Sequence, residues 1–383
     1  LVEAWVVFKI FSMCARLALM SSFVIAVTAI DCSGQTTWPA LYRNYTGAFL
    51  DTQIRVIDRD AGDRTTSEGQ AYAMFFALVA NDRPRFDGLL RWAEQNLAAG
   101  DLTAQLPAWL WGRDPDNRWG VLDSNAAADA DVWMACALLE AGRAWNDQRY
   151  TSVGRSLAKR IADEEVADIE GIGPLLLPAP KGFRQDEVVR LNASYLPLQL
   201  FVRLGQLLPG GPWEKIAQRT STLISASAPR GFAMDWIDYA PVKGFSASDT
   251  GGYDAIRVYL WAGMLDPATP GRDVLLRSLF GMSDWLRRNA VPPETVRADG
   301  SIAAPNGPVG FSAALLPYLS ALGEKRLADV QFSRLRSAID SKTGLYGKPA
   351  RYYDQNLALF ALGWTERRFW FDSGGALKMW WRD

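Results

Sequence analysis

Apolar residues recur at helical spacing along nearly the whole chain from residue 39 onward. In 84–98, for example, Leu89, Leu90, Trp92, Ala93 and Leu97 fall on one face of a 3.6-residue repeat. The same periodicity predicts twelve helices, over 39–52, 68–80, 84–98, 126–145, 148–165, 193–208, 212–227, 253–264, 271–289, 311–322, 324–340 and 352–362. Several open on Pro or a polar cap, and several stop at Gly or Asn. Some, such as 193–208, are apolar on more than one face, as helices packed on both sides are. The connections are uneven. Those at 81–83 and Gly323 are short, whereas 100–125, 170–192 and 229–252 are long and rich in Pro, Gly, Asp and Trp. This alternation suggests six helical hairpins closed in a ring, with the long loops gathered at one end around a cleft. No 20–45-residue repeat of an open solenoid is visible, nor a dinucleotide-binding glycine pattern or phosphate loop. No linker interrupts the pattern, so a single domain over 31–383 is expected.

The N-terminal segment reads differently. Met13-Cys14-Ala15-Arg16 is a short basic start, followed by an apolar run from Leu17 to Ile30 with small residues around Val27-Thr28-Ala29. That run, about 14 residues, is shorter than the ~18–20 a bilayer span needs. Residues 1–30 therefore read as a cleaved export signal, with 1–12 upstream of a plausible start methionine, and a periplasmic or secreted location is expected. Asp31 before Cys32 makes a poor lipoprotein site. No stable membrane span is expected once the signal is removed.

Composition narrows the chemistry. Net charge is −1 with a pI near 5.8, so nothing argues for nucleic acid. The chain has no histidine at all, which excludes Ser-His-Asp and Cys-His machinery and any metal site built on imidazole. No metal or cofactor is implied. Acid–base work at neutral pH falls to Asp, Glu, Tyr or Lys. The 16 tryptophans are many for a domain of this size; Trp can be core, but flat apolar ligands such as sugar rings also select such an excess. Of three cysteines, Cys14 and Cys32 lie in the N-terminal segment, and Cys136 falls in an apolar helical run as a buried free thiol.

Three acidic positions stand at junctions between a loop and a helix. The first is Glu68, in Thr65-Thr66-Ser67-Glu68-Gly69-Gln70-Ala71-Tyr72, between the extended run Arg55-Val56-Ile57-Asp58 and an apolar segment from Ala73 to Ala80. Thr or Ser ahead of Glu and an apolar run marks a helix N-terminus. A carboxyl there is held rigidly and can be tuned by what covers it, although an ordinary helix-starting Glu has the same pattern. The second is the pair Asp129 and Asp131, two carboxylates in the first turn of an otherwise apolar helix, costly to bury unless satisfied. The third is Asp254, followed at i+3 by Arg257, a spacing that also suits a plain ion pair. Between them lie aromatic loops, Trp109-Leu110-Trp111-Gly112 and Arg118-Trp119-Gly120. Positioned carboxyls beside a Trp-lined groove are what glycoside hydrolysis requires: one acid protonates the leaving oxygen, and a second carboxylate attacks or activates water.

These stretches also carry a resemblance. Thr-Thr-Ser-Glu-Gly-Gln at 65–70, Ala-Asp-Ala-Asp with Met-Ala at 128–135, and Tyr-Asp-Ala-Ile-Arg at 253–257 resemble glycoside hydrolase family 8, nearest its branch of endoglucanases that accompany bacterial cellulose synthase. The likeness covers nearly the whole chain after Trp38. It implies an all-α (α/α)6 barrel and inverting hydrolysis of β-1,4-glucan chains in cellulose biosynthesis, with functional association with the synthase complex. By the same likeness Glu68 is the general acid, Asp254 the general base and Asp129 the carboxylate that holds the sugar at the cleavage subsite. Tyr253 and Arg257 would flank the base, Trp109 and Trp111 would supply stacking, and Tyr195, Tyr352 and Tyr353 would be cleft aromatics. Two departures are seen: Ala128 stands where the family has Ser or Thr, and Tyr259-Leu260-Trp261 where many members have Pro-Trp. Other readings stay open at this point, namely a hydrolase of xylan or chitosan on the same fold, or a non-catalytic glucan-binding component of cellulose export.

Overall fold

The computed structural model describes residues 37–383, so the segment read as an export signal, together with Cys14 and Cys32, lies outside the described residues. Thirteen α-helices are present among them. They are α1 (Trp38–Phe49), α2 (Ser67–Val79), α3 (Arg83–Leu97), α4 (Ala128–Ala144), α5 (Gln148–Glu164), α6 (Leu198–Leu207) and α7 (Trp213–Ala226). The rest are α8 (Ala255–Gly263), α9 (Arg272–Ser278), α10 (Phe280–Leu286), α11 (Val309–Ala321), α12 (Lys325–Ser337) and α13 (Tyr352–Thr365).

Burial sorts these helices into two layers. α2, α4, α8, α11 and α13 are apolar nearly all round and buried along almost their whole length, as helices enclosed on every side must be. α3, α5, α7 and α12 bury one stripe and turn charged residues to water. Packing runs from α2 to α4, α6, α8, α11 and α13 in turn. The ring closes where Phe360 of α13 meets Tyr72 and Phe76 of α2 edge-on, with centroids 5.0 and 4.7 Å apart. Each inner helix carries its outer partner on its flank, and α1 lies against α13. The result is the (α/α)6 barrel that the helix spacing and the family likeness both led us to expect. Inner helices cross closely where a side chain is missing: a Cβ on Gly263 of α8 would stand 2.1 Å from the Tyr318 backbone nitrogen of α11. Cys136 is a buried free thiol on α4, as expected.

Because outer and inner helices alternate, all six inner helices begin at the same end of the barrel. The tight turns 80–82, 145–147 and 322–324 lie at the other end, and the long connections precede the inner helices. In those connections the structure departs from the sequence reading. They contain twelve short strands, and two more follow α13; none of them was expected, and most pair as antiparallel hairpins. Runs of two to five residues are too short for alternation to reveal them.

Two helices also differ from expectation. The stretch 193–208 holds a 3-10 turn, Ala193–Tyr195, and α6 begins only after Pro197, since Pro has no amide to offer a helix interior and keeps Leu196 out of helical geometry. The stretch 271–289 is split at Leu279, whose carbonyl accepts the Tyr318 hydroxyl at 2.8 Å while the Gly281 amide donates to Gly231. Both groups are thereby withdrawn from a continuous helix.

Candidate active site

The Thr65–Tyr72 stretch is built as its sequence requires. Thr66 caps α2, its hydroxyl accepting from Gly69 N at 3.1 Å. Gln70 accepts the Val56 amide at 2.7 Å, and Thr65 donates to the Val56 carbonyl at 2.6 Å. The extended run before the motif is thus pinned to it. On the other side Thr65 and Thr66 pair with Trp111 and Leu110, and Ser67 N donates to the Trp109 carbonyl at 3.0 Å. Glu68 therefore emerges from a fixed first turn beside the tryptophan strand.

Arg257 organises the rest. It is 3% exposed, in the first turn of α8. Its Nη1 donates to the Glu68 carboxylate, to Asp129 Oδ2 at 2.9 Å and to the Tyr72 hydroxyl at 3.2 Å; its Nη2 donates to Asp254 Oδ1 at 2.7 Å. The ion pair between Asp254 and Arg257 read from their spacing is present, but it is one arm of a larger cluster. A planar guanidinium spreads its donors over separate nitrogens and so reaches carboxylates on both sides in a fixed geometry. Glu68, Asp129 and Asp254 come from three inner helices or their first turns and meet on this one cation.

Exposure separates the three. The side chains of Glu68 and Asp254 are 22% and 32% exposed, whereas that of Asp129 is 3%. Burial, with Glu68 adding to it and Arg257 opposing it, pushes the Asp129 carboxyl up to about 7. Its other oxygen accepts its own neighbour's amide, Ala130 N, at 2.8 Å. A proton therefore stays in the cluster up to neutral pH, next to the nitrogen that also holds Glu68.

The aromatic residues singled out in the sequence take different places. Tyr195 lies under the guanidinium, 5.7 Å from ring centroid to Arg257 Cζ. Tyr253 is 41% exposed, its ring edge-on to Phe311 and tilted against Tyr353, its hydroxyl donating to Glu294 at 3.0 Å. Tyr353 donates to the Tyr253 carbonyl, which ties α13 to the turn that carries the base candidate. Trp111 stacks on Trp119 at 4.9 Å and meets Trp92 edge-on, with Arg55 over its ring. It is thus a support for the more exposed Trp119. Trp109 is half-buried beside the start of α2. Tyr352 corrects the sequence reading: it is a buried core residue, with its ring against Phe49 and its hydroxyl pressed close to Gly69, behind the turn that carries Glu68. It offers no face to a ligand.

Several residues of the site were not anticipated. Asp235, in the loop before α8, accepts Gly252 N and Ala255 N, each at 2.8 Å, and so caps the helix start from a distance in sequence. Asn192 donates to Asp254 Oδ2 at 3.0 Å. Glu165 faces Asp131, and both are fully buried. Only the Asn192-Ala193-Ser194 pattern, an Asn able to turn back on its own backbone, gave a local signal.

None of the four carboxyl oxygens of Asp131 and Glu165 has a hydrogen-bond partner. Burial, reinforced by Asp129 and by each other, raises both well above the usual carboxylate range. In the unfolded chain they ionise normally, so their contribution to stability is full below about pH 4. It is lost as pH rises toward their folded-state values. Asp131→Asn supplies a donor that needs no proton. We expect it to raise Tm by a few degrees at pH 8 and to change little at pH 5; equal Tm differences from wild type at both pH values would refute the raised proton affinity of the pair.

The chain matches the family model described as Glycosyl hydrolases family 8 over residues 11–367. It belongs to glycosyl hydrolases family 8. Among relatives of this family-8 chain, an endoglucanase of Escherichia coli O157:H7 is 42% identical over 370 residues, covering 94% of this chain and 96% of the relative. An endoglucanase of Xanthomonas axonopodis pv. citri (strain 306) is 44% identical over 344 residues, 88% of each. The crystal structure of an endo-1,4-D-glucanase from Vibrio fischeri ES114 superposes with a TM-score of 0.80 at 40% identity, covering 89% of this chain and 99% of that one. No helix among the described residues of this family-8 chain is long and apolar enough to cross a membrane.

Proposed function

We propose that this chain is an endo-β-1,4-glucanase that hydrolyses β-1,4-glucan with inversion at the anomeric carbon. The observation that carries the reading is the sorting of three carboxylates on Arg257: two are partly open to solvent and one is buried. The family and the endoglucanase relatives support the substrate class. Glu68 acts as the general acid. It gives its proton to the glycosidic oxygen as the bond from that oxygen to C1 breaks. Asp254 acts as the general base, taking a proton from the water that attacks C1 from the opposite face. One turnover leaves Glu68 ionised and Asp254 protonated, and solvent exchange resets both. Asp129 stays beneath them. Its burial limits its contact with the sugar, so its main service is to keep a proton next to Glu68. Tyr253 and Trp119 are exposed aromatic residues available to sugar rings.

The motif likeness further supports a catalytic domain over 31–383 that is exported to the periplasm or beyond. It also supports action on nascent cellulose in association with the synthase complex. The deciding experiment is proton NMR of fresh products from cellopentaose. The α-anomer is expected first. The β-anomer first would overturn inversion and the role of Asp254, and cleavage of xylo- or chito-oligosaccharides in its place would move the activity to another β-linked polymer.

A further inference from the structure

Asp254 presents two oxygens, and both are held. Arg257 Nη2 takes Oδ1 at 2.7 Å, and Asn192 Nδ2 takes Oδ2 at 3.0 Å. Two donors on different oxygens fix the rotation of a carboxylate about its last bond, and so fix where its free lone pairs point. Asn192 cannot itself turn. Its Oδ1 accepts both Ser194 N at 3.0 Å and Ser194 Oγ at 2.7 Å. A backbone amide can only donate, so the oxygen of the carboxamide must face Ser194 and the nitrogen must face Asp254. Asn192 and Ser194 are each 2% exposed.

The clamp is also tied to the helix it serves. The Ser194 carbonyl accepts Trp261 Nε1 at 2.9 Å, and Trp261 lies in α8 two turns beyond Asp254. Asn192 ends a strand paired with Trp236, which anchors it from the opposite side. The 3-10 turn Ala193–Tyr195, the feature that broke the expected helix, is what makes this arrangement fit.

We infer that Asn192 is the positioning residue of the base, a clamp set by Ser194 that aims Asp254 at the attacking water. This rests on the reading of Asp254 as base. At neutral pH a carboxamide of this size accepts from Ser194 through its oxygen and donates to a carboxylate through its nitrogen, which an ionised Asp cannot do.

Asn192→Asp keeps the shape and replaces the donor with an acceptor. At pH 7.5 kcat on cellopentaose should fall by about 10²-fold with KM within a few-fold, the size expected when a reacting group is misaimed. As pH is lowered toward 5, the deficit relative to wild type should shrink, because the introduced carboxyl regains a proton and donates as the amide did. Asn192→Leu should stay low at every pH. A purely structural role predicts a ratio independent of pH in both variants. That result, or wild-type kcat for Asn192→Asp at pH 7.5, or a loss confined to KM, would overturn the inference. Asp254→Asn is measured alongside. If it retains wild-type turnover, the base assignment itself fails; if it is inactive while Asn192→Asp is normal, the clamp alone fails. Should Asn192→Leu not fold, the pH series of the isosteric Asn192→Asp still decides.

Discussion

Glu68→Gln should lose turnover by about 10³–10⁴-fold while still binding glucan, the scale on which a positioned proton donor contributes. The substitution keeps side-chain volume, and the amide oxygen can still accept from Arg257 Nη1, which holds Glu68 in the wild type. The cap of α2 is made by Thr66 and is untouched. Structure and affinity should therefore persist, and only the transferable proton disappears. Initial rates on cellopentaose, calorimetric titration of the same oligosaccharide and a melting curve separate these effects. Normal kcat would remove Glu68 from the mechanism. Lost affinity at unchanged Tm would make it a binding residue.

Arg257→Met should be the most damaging change to stability. The cation is 3% exposed and compensates Asp129, itself 3% exposed, along with parts of Glu68 and Asp254. Removing one partner of a buried ion pair costs roughly 3–5 kcal/mol, because the other charge stays buried without it. The sign with pH follows. Arg257 holds the Asp129 proton affinity down, so without it Asp129 clings to its proton still more. Protonated Asp129 tolerates the missing cation and ionised Asp129 does not. Urea denaturation should thus show a larger loss at pH 8 than at pH 5. Arg257→Lys should recover part of the stability and none of the turnover, since one ammonium cannot hold Glu68 and Asp254 from two separate nitrogens. Equal losses at both pH values, or an active Arg257→Lys, would show that the cluster does not depend on the guanidinium fork.

Local rules reached a good deal of this molecule. The Thr66 cap, the buried body of α2 and the alternation of short and long links follow from residues near one another in sequence. So does the pair Asp254 and Arg257. What escaped was contact between distant parts. Nothing near Arg257 announces that it binds Glu68, 189 positions away. Glu165 looks like any helix-ending Glu until Asp131 is placed against it. Asp235 caps α8 across a loop, and Tyr352, read as a cleft aromatic, is closed over by Gly69 and Phe49. The 271–289 helix breaks for the same reason: its periodicity is intact, and a hydroxyl from α11 takes the carbonyl at the break.

The placement of every inner-helix start at one end has an evolutionary consequence. The reacting carboxylates ride on the first turns of rigid helices, whereas the walls around them are made by hairpins that nothing in the barrel's packing requires to keep their length. Insertion or loss of a hairpin can therefore recast which polymer fits while the distances among Glu68, Asp129, Asp254 and Arg257 stay as they are. In this architecture the preference for a substrate is free to drift ahead of the chemistry performed on it.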